Sequence, residues 1–365
     1  MKSATPAAAD AALDTLWLPF SSGSLAWPRA GRALFLRARE VSQLRDIEPG
    51  LLVCEQSFKP YAAALTMAGF SLAEDNEECF PLVLLLPPRQ REESRALLAR
   101  ALRRATPDGV VVASMLNNEG ARSGEADMGR LAGSVQSLSK NKCRVFWATV
   151  RPGSINAELV EEWAALDAPR PIAEGRFLSR PGLFAWDRID IASALLARCL
   201  PADLSGHGAD LGAGFGYLSA EVLARCPGVT TLDLYEAEAR ALALAKTNLQ
   251  HQLERGERKE GVQHATLNFF WHDVTTGLGQ PARYDFIVSN PPFHQGRADR
   301  PDMGQAFILA AAAALLPGGR LWLVANRHLP YEEELRKNFR KVRTVTEELN
   351  FKVIEAVKGT AKGRT

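Results

Sequence analysis

The residues best placed to do chemistry are Asn290-Pro291-Pro292-Phe293, which directly follow the apolar run Tyr284-Asp285-Phe286-Ile287-Val288-Ser289. A short apolar run closed by proline reads as a buried parallel strand. Two successive prolines remove two N–H donors and fix φ, so the Asn290 amide and its neighbouring carbonyls are held at the strand's carboxyl end. The loop thus offers hydrogen-bond acceptors beside an aromatic face. A flat group carrying an exocyclic NH₂ suits it, with the acceptors taking both hydrogens while Phe293 stacks on the ring. A proline turn that merely ends a strand has the same sequence, so the upstream residues decide between the two readings.

Upstream stands Asp210-Leu211-Gly212-Ala213-Gly214-Phe215-Gly216, followed by a helix-like run from Tyr217 to Cys226. The glycines predict a tight strand-to-helix crossing. The third glycine arrives two residues after the second, not three, so the pattern departs from the dinucleotide fingerprint. Asp210 also puts a carboxylate where pyrophosphate would want only N–H groups, and a cationic ligand end fits better. Glu236 lies at the end of a second strand, Thr230 to Tyr235, where a carboxylate can take both hydroxyls of a ribose; Asp233 is the competing residue. A helix expected over Ala237 to Asn248 favours Glu236, at the helix's opening turn. Asp273 follows a third strand, Ala265 to Trp271, and is a candidate acceptor for an adenine amine or a plain loop carboxylate.

These residues need strands that end on one edge. Carboxylates after strands one, two and three and Asn290 after strand four predict a doubly wound sheet with its ligand crevice at the carboxyl ends. The chain also echoes itself. A strand reaching Pro291-Pro292, a helix near Gln305 to Leu316, a turn at Pro317-Gly318-Gly319 and the strand Arg320 to Ala325 match, in order, Leu82 to Leu86, Pro87-Pro88, Glu92 to Arg104, Pro107-Asp108-Gly109 and Val110 to Ala113. We therefore expect an α/β protein of two tandem Rossmann-like units, each a doubly wound, mostly parallel sheet, with a linker at Asp167 to Pro171 and domains at 1–170 and 171–365. Aligning Leu51 to Phe58 with Asp210 to Gly216 finds no glycines in the first copy. Side chains there would block a close-approaching ligand, so the first unit is expected to keep the fold without the cofactor.

With 365 residues, 46% hydrophobic and a net charge of +2, the chain reads as globular and too nearly neutral to announce a nucleic-acid binder by charge alone. Local basic clusters remain, at Arg89, Arg91, Arg95, Arg100, Arg103 and Arg104, and at Lys337, Arg340, Lys341 and Arg343. Five scattered cysteines without a C-x-x-C pair, and histidines without ligand spacing, predict reduced thiols and no metal. No apolar run is long enough to span a bilayer and the N-terminus has no signal-peptide pattern, so no membrane partner and a cytoplasmic location are expected.

The ordered carboxylates, glycine loop and Asn-Pro-Pro-Phe resemble the class I S-adenosylmethionine-dependent methyltransferases of the amino-group branch. The resemblance covers roughly Arg180 to Gly359, including Pro181-Gly182-Leu183-Phe184. It extends to Leu329-Pro330-Tyr331, Phe339 to Val342 and Phe351 to Ile354 as closing antiparallel strands. A degenerate copy preceding an active one resembles the ribosomal RNA guanine-N2-methyltransferases, the small-subunit methyltransferase C family above all. That resemblance implies S-adenosyl-L-methionine held by Asp210, Gly212, Gly214, Gly216, Glu236, Asp273 and Asn290, and a guanine amine of 16S ribosomal RNA, free or in an assembled subunit, held by Asn290, Pro291, Pro292 and Phe293. It further implies an N-terminal domain that does not bind the donor and aids folding and RNA binding. Glu236 departs from the family's more usual Asp. The alternatives are large-subunit RNA, a protein glutamine amide, a DNA adenine amine, or a non-catalytic RNA-binding assembly factor.

Overall fold

The computed structural model describes residues 10–73, 77–254, 265–279, 281–292, 294–295, 298–299 and 301–359. The chain divides into two compact units, Met1–Pro169 with Arg180–Gly182, and Arg170–Ser179 with Leu183–Thr365. The first unit holds strands β1 (Ala33–Leu36), β2 (Leu52–Glu55), β3 (Ser71–Leu72), β4 (Phe80–Leu85), β5 (Ala105–Leu116), β6 (Gln136–Lys140) and β7 (Cys143–Thr149). They form one sheet in the order β3-β2-β1-β4-β5-β7-β6. Helices α1 (Ala11–Leu16), α2 (Leu18–Ser21), α3 (Lys59–Met67), α4 (Arg91–Arg103), α5 (Ala121–Ala132) and α6 (Ala157–Ala164) complete it. Leu13 and Leu65 belong to one core cluster, Leu98, Met128 and Trp163 to another, as a sheet covered on both faces requires.

The second unit opens with the antiparallel pair β8 (Arg170–Ile172) and β9 (Phe177–Ser179). Its main strands are β10 (Ser205–Leu211), β11 (Gly228–Glu236), β12 (Thr266–Trp271), β13 (Tyr284–Ser289), β16 (Leu315–Asn326), β17 (Lys341–Glu348) and β18 (Phe351–Val357); between them lies the short pair β14 (His294–Gln295) and β15 (Ala298–Asp299). The sheet order is β12-β11-β10-β13-β16-β18-β17, the same permutation as in the first unit. The first five strands run parallel and the last two pairings are antiparallel. Chain connections leave β10 in one direction and β13 in the other, so the sheet splays a crevice at their carboxyl ends. Helices α7 (Ile191–Cys199), α8 (Tyr217–Arg225) and α9 (Ala239–Glu254) supply one core cluster, and α10 (Pro301–Ala314) and α11 (Tyr331–Asn338) the other.

The same register recurs in both sheets. Against β5, β4 pairs Phe80 with Ala105 and then slips so that Leu82 meets Val110; against β16, β13 pairs Tyr284 with Leu315 and slips so that Phe286 meets Arg320. Both twelve-residue strands show the same burial pattern along their length. Pro317-Gly318-Gly319, expected as a turn, lies inside β16 at that slip, where Gly318 takes φ +84°. Carried across the sheets, the register matches Phe35 to Asp210, Arg37 to Gly212, Gln56 to Glu236 and Leu86 to Asn290. The expected pairing of Leu51 to Phe58 with the glycine loop is therefore corrected. That segment corresponds to the end of β11, and the glycine loop's counterpart starts at Leu36-Arg37-Ala38. Period-two strand patterns look alike in sequence, so only the ladder fixes which strand is which. Leu329-Pro330-Tyr331 is also corrected: it leads into α11 and does not form a closing strand, because Tyr331 opens a helix whose first turn carries Glu332, Glu333 and Glu334.

One polar cluster inside the second sheet fixes β11. The fully buried Asp233 accepts from Asn268 Nδ2 at 2.7 Å and Tyr284 Oη at 2.8 Å, with His207 Nε2 at 3.1 Å and Arg283 Nη2 at 3.2 Å. The two hydrogen bonds and the Arg283 ion pair offset the desolvation of a buried carboxylate. Nearby, Gly208 has no room for a side chain: an added Cβ would stand 2.1 Å from Phe286 Cζ, whose ring is 1% exposed. Gly208→Ala should destabilise the second unit by about 1–3 kcal/mol through overpacking. The measurement is a lower urea midpoint, with Phe286→Leu in the same chain restoring part of it.

Candidate active site

The glycine loop is shaped by one acceptor and one carboxylate of the next strand. Gly212 N and Ala213 N both donate to the Tyr235 carbonyl, at 2.9 and 3.1 Å. Gly214 N donates to Glu236 Oε2 at 2.8 Å, and the other oxygen of that carboxylate accepts from Glu238 N at 2.8 Å. Gly212, Gly214 and Gly216 take φ of +77°, +55° and +93°, a region costly for side-chain-bearing residues. The three glycines differ in what lies over them. A Cβ on Gly214 would meet nothing within 4 Å, so a ligand can approach that backbone from open space. On Gly216 it would press on Ala245 Cα at 3.2 Å, which assigns that glycine to the packing of α8 on α9.

Asp210 ends β10 with its side chain fully buried. Its Oδ2 accepts from Ser219 Oγ at 2.7 Å, while Oδ1 has no partner. Burial pushes its carboxyl up to about 7, opposed by the bonds from Ser219 and aided by the charge of Glu236. A buried acceptor with one orphaned oxygen fits the cationic end of a ligand, which would supply both the missing hydrogen bond and the missing charge. Burial also raises the Glu236 carboxyl, against the N–H bonds of Glu238 and Gly214 that lower it. Asp233, the competitor of Glu236, is enclosed by the sheet's own donors and presents nothing to the edge. Asp273 caps the short turn Val274–Thr276, its Oδ1 accepting from Thr275 N at 2.9 Å and Thr275 Oγ1 at 2.6 Å. The backbone nevertheless draws the third strand's end inward, since His272 N donates to the Glu236 carbonyl at 2.9 Å.

The fourth strand joins the same edge. Ser289 Oγ donates to the Leu211 carbonyl at 2.7 Å, stitching the end of β13 to the end of β10. The Asn290 carbonyl consequently stands 3.9 Å from where a Cβ on Gly212 would be, with Phe307 Cε1 at 3.4 Å from the same point. Asn290 Nδ2 donates to Asp190 Oδ2 at 3.0 Å and to Ser193 Oγ at 2.8 Å. Pro291 is buried and Pro292 exposed. Phe293 lies outside the described residues, so its expected stacking role is untouched by the geometry.

Asp210, Gly212, Gly214, Glu236 and Asn290 thus meet at one carboxyl edge of the sheet, with Asp273 at the end of the neighbouring strand. Sequence reasoning missed Asp190, Ser193, Ser219 and Phe307. Asp190 followed by Ser193 at the head of an apolar run is an N-cap pattern that could have placed the start of α7, though not its contact a hundred residues away. In the first unit, five of the six clustered arginines turn to protein acceptors. Arg95 pairs with Asp127 at 2.9 Å, Arg91 with Asp127 at 3.8 Å, Arg103 with Glu161 at 3.6 Å, Arg100 with Glu55, and Arg104 with the Glu78 carbonyl. Among the described residues no cluster of side chains has the make-up of a metal site, and no helix is long and apolar enough to cross a membrane.

A sheet ordered in this way, with an acid-tipped glycine loop after the first strand, an acid after the second and Asn-Pro-Pro after the fourth, defines a class I S-adenosylmethionine-dependent methyltransferase fold. Residues 174–355 match the family model described as methyltransferase small domain. The chain is 27% identical over 330 residues to ribosomal RNA small subunit methyltransferase C of Shewanella piezotolerans, covering 90% of each chain. It is 31% identical over 296 residues to the protein of that name from Erwinia tasmaniensis, covering 80% of each. Its structure is similar, with a TM-score of 0.78, 25% identity and coverage of 98% of this chain and 94% of the other, to the T. thermophilus 16S rRNA N2 G1207 methyltransferase in complex with AdoMet and guanosine. The chain belongs to the ribosomal RNA small subunit methyltransferase C family.

The burial of Asp210 makes stability depend on pH in a definite sense. Its folded-state pKa of about 7 lies above the ordinary 3.8, so between those values the folded chain holds a proton that the unfolded chain has released. This contribution is complete below about pH 4 and is lost as pH rises through about 7. Calorimetric melting of ligand-free wild type and Asp210→Asn at pH 5 and pH 8 should show the wild type losing on the order of 2–4 kcal/mol more between them. Parallel pH curves for the two chains would contradict this account of Asp210.

Proposed function

We propose that this chain transfers a methyl group from S-adenosyl-L-methionine to the exocyclic N2 amine of a guanine in 16S ribosomal RNA. The observation that carries the reading is that the Asn290 carbonyl stands 3.9 Å from a Cβ built on Gly212, next to the open backbone of Gly214, at the sheet's switch point. A donor lying over the glycine backbone is thereby beside an amine held at Asn290. Family membership and the guanosine-bound neighbour support the choice of base.

When bound, the donor supplies a methyl carbon already activated by its sulfonium. The chain's own task is then mostly alignment. Asp210 offers its unpaired oxygen to a cationic end, and Glu236, held by two backbone N–H groups, keeps lone pairs for a pair of hydroxyls. Asn290 Oδ1 and the Pro291 carbonyl accept from the guanine amine. That draws its lone pair out of conjugation and stabilises the positive charge developing on nitrogen. The proton leaves to solvent after transfer, so no strong base is required. Asp273 has one oxygen committed to Thr275 and serves the adenine with the other. The first unit, with Phe35, Arg37, Gln56 and Leu86 at the positions of Asp210, Gly212, Glu236 and Asn290, binds no donor and contributes to folding and RNA contact. The protein acts in the cytoplasm, on free RNA or an assembled subunit.

Incubation with labelled donor and separated ribosomal RNAs, followed by mapping of the modified base, should place the label on a guanine N2 of 16S RNA. Label on large-subunit RNA, DNA or protein alone would overturn the assignment. Asn290→Ala should lower the single-turnover rate by at least about tenfold, the scale of one lost electrostatic contact, with donor affinity by calorimetry mostly intact at one site per chain.

A further inference from the structure

We infer that Asp190 and Ser193 are positioning residues that lock the Asn290 side chain as a pure hydrogen-bond acceptor; the inference rests on the amine-methylating reading above. Both amide hydrogens of Asn290 are spent, one on Asp190 Oδ2 at 3.0 Å and one on Ser193 Oγ at 2.8 Å. An ionised carboxylate can only accept, so chemistry fixes which way the amide points. In the reverse orientation Oδ1 would face the Asp190 oxygen, two acceptors in repulsion. The NH₂ group would then point into the crevice, where an incoming amine also brings donors. The lock thus leaves Oδ1 alone available. It favours a group that donates, such as an amine, and disfavours one that presents a bare carbonyl oxygen.

The lock is itself held rigidly. Asp190 is the N-cap of α7, and the same Oδ2 that takes the Asn290 hydrogen accepts from Ser193 N at 2.8 Å. One carboxylate oxygen therefore fixes both the start of a helix and the orientation of a side chain on the far side of the sequence. Ser193 is 9% exposed, so water competes poorly for its hydroxyl. Pro291 and Pro292 restrict the backbone of the loop, whereas Asp190 and Ser193 hold the Asn290 side chain through its amide nitrogen.

The test uses the full-length chain. Ser193→Ala removes one acceptor, and Asp190→Ser keeps a capping hydroxyl too short to reach Asn290. Together they should lower the single-turnover methylation rate at least about tenfold, with S-adenosylhomocysteine affinity and the RNA KM within about twofold, and Ser193→Thr should recover most of the rate lost in Ser193→Ala. In an Asn290→Ala background the same pair should change the rate by less than about twofold, because nothing remains to be oriented. Equal losses in both backgrounds would assign the effect to α7 itself and overturn the inference, as would an undiminished rate in the first. Hydrogen exchange of the Asn290 side-chain amide, read by NMR, should quicken at least about tenfold in Ser193→Ala. That readout needs no turnover, so an unchanged exchange rate defeats the lock, whereas failure of the wild type to methylate guanine defeats only the functional reading.

Discussion

Most of this active site hangs on the peptide at the end of β11. The Tyr235 carbonyl gathers the N–H groups of Gly212 and Ala213, and the Glu236 side chain two bonds further on takes that of Gly214. These bonds bend the first strand's exit sharply enough that backbone, not side chain, faces the crevice. That is why residues without Cβ are needed where φ is positive and the space above must stay clear. The Ser289 hydroxyl then fastens the fourth strand to the same corner through Leu211, and Asn290 follows from its position. The candidate site, assembled from four strand ends, is thus referenced to one short stretch of backbone. Asn248 adds support from below, bonding the Phe215 carbonyl from α9 at 2.9 Å.

Much of this arrangement could be read in the sequence, and the reason is locality. Asp210 to Gly216 and Asn290-Pro291-Pro292 declare themselves because glycine and proline restrict the backbone wherever they stand. Strand-end carboxylates can be counted once strands are recognised by their apolar runs. What could not be read depends on pairing across distance. Asp190 and Ser193 look like an ordinary helix start, and nothing local says that Asn290 rests on them. The mismatch of the first copy arose in the same way: Leu51 to Phe58 and Ala33 to Leu36 are both short apolar strands, and only the ladder tells first from second. The arginines of α4 were ambiguous for a related reason, since the carboxylates that engage them come from Glu55, Asp127 and Glu161 on other elements.

The buried polar groups of the second unit divide into two kinds. Asp233 accepts hydrogen bonds from Asn268 on β12 and Tyr284 on β13, and burial together with its bonds to Tyr235 and Asp233 keeps the Tyr284 hydroxyl protonated, so that this cluster stays within the fold. Asp210 is left short of a partner by one oxygen. Neighbouring strands therefore carry two buried carboxylates of opposite character. The self-sufficient one serves the sheet, and the deficient one stands at the carboxyl end of β10, next to the glycine loop.

The repeated register shows what became of the same corner in the first unit. There Ala38 N still donates to the Glu55 carbonyl at 3.0 Å, and Phe58 N to Gln56 Oε1 at 2.8 Å, repeating the bonds at Tyr235 and Glu236. Arg37 even keeps a φ of +55° where Gly212 has +77°. One exchange alters the logic: the Gln56 NH₂ donates to the Ala38 carbonyl at 2.6 Å, so the turn closes on itself. An amide that donates back into the loop stands where the second unit has a carboxylate that only accepts. The first unit's turn is tied to itself, and giving it the second unit's form by engineering would demand a new acid at Gln56 as well as restored glycines.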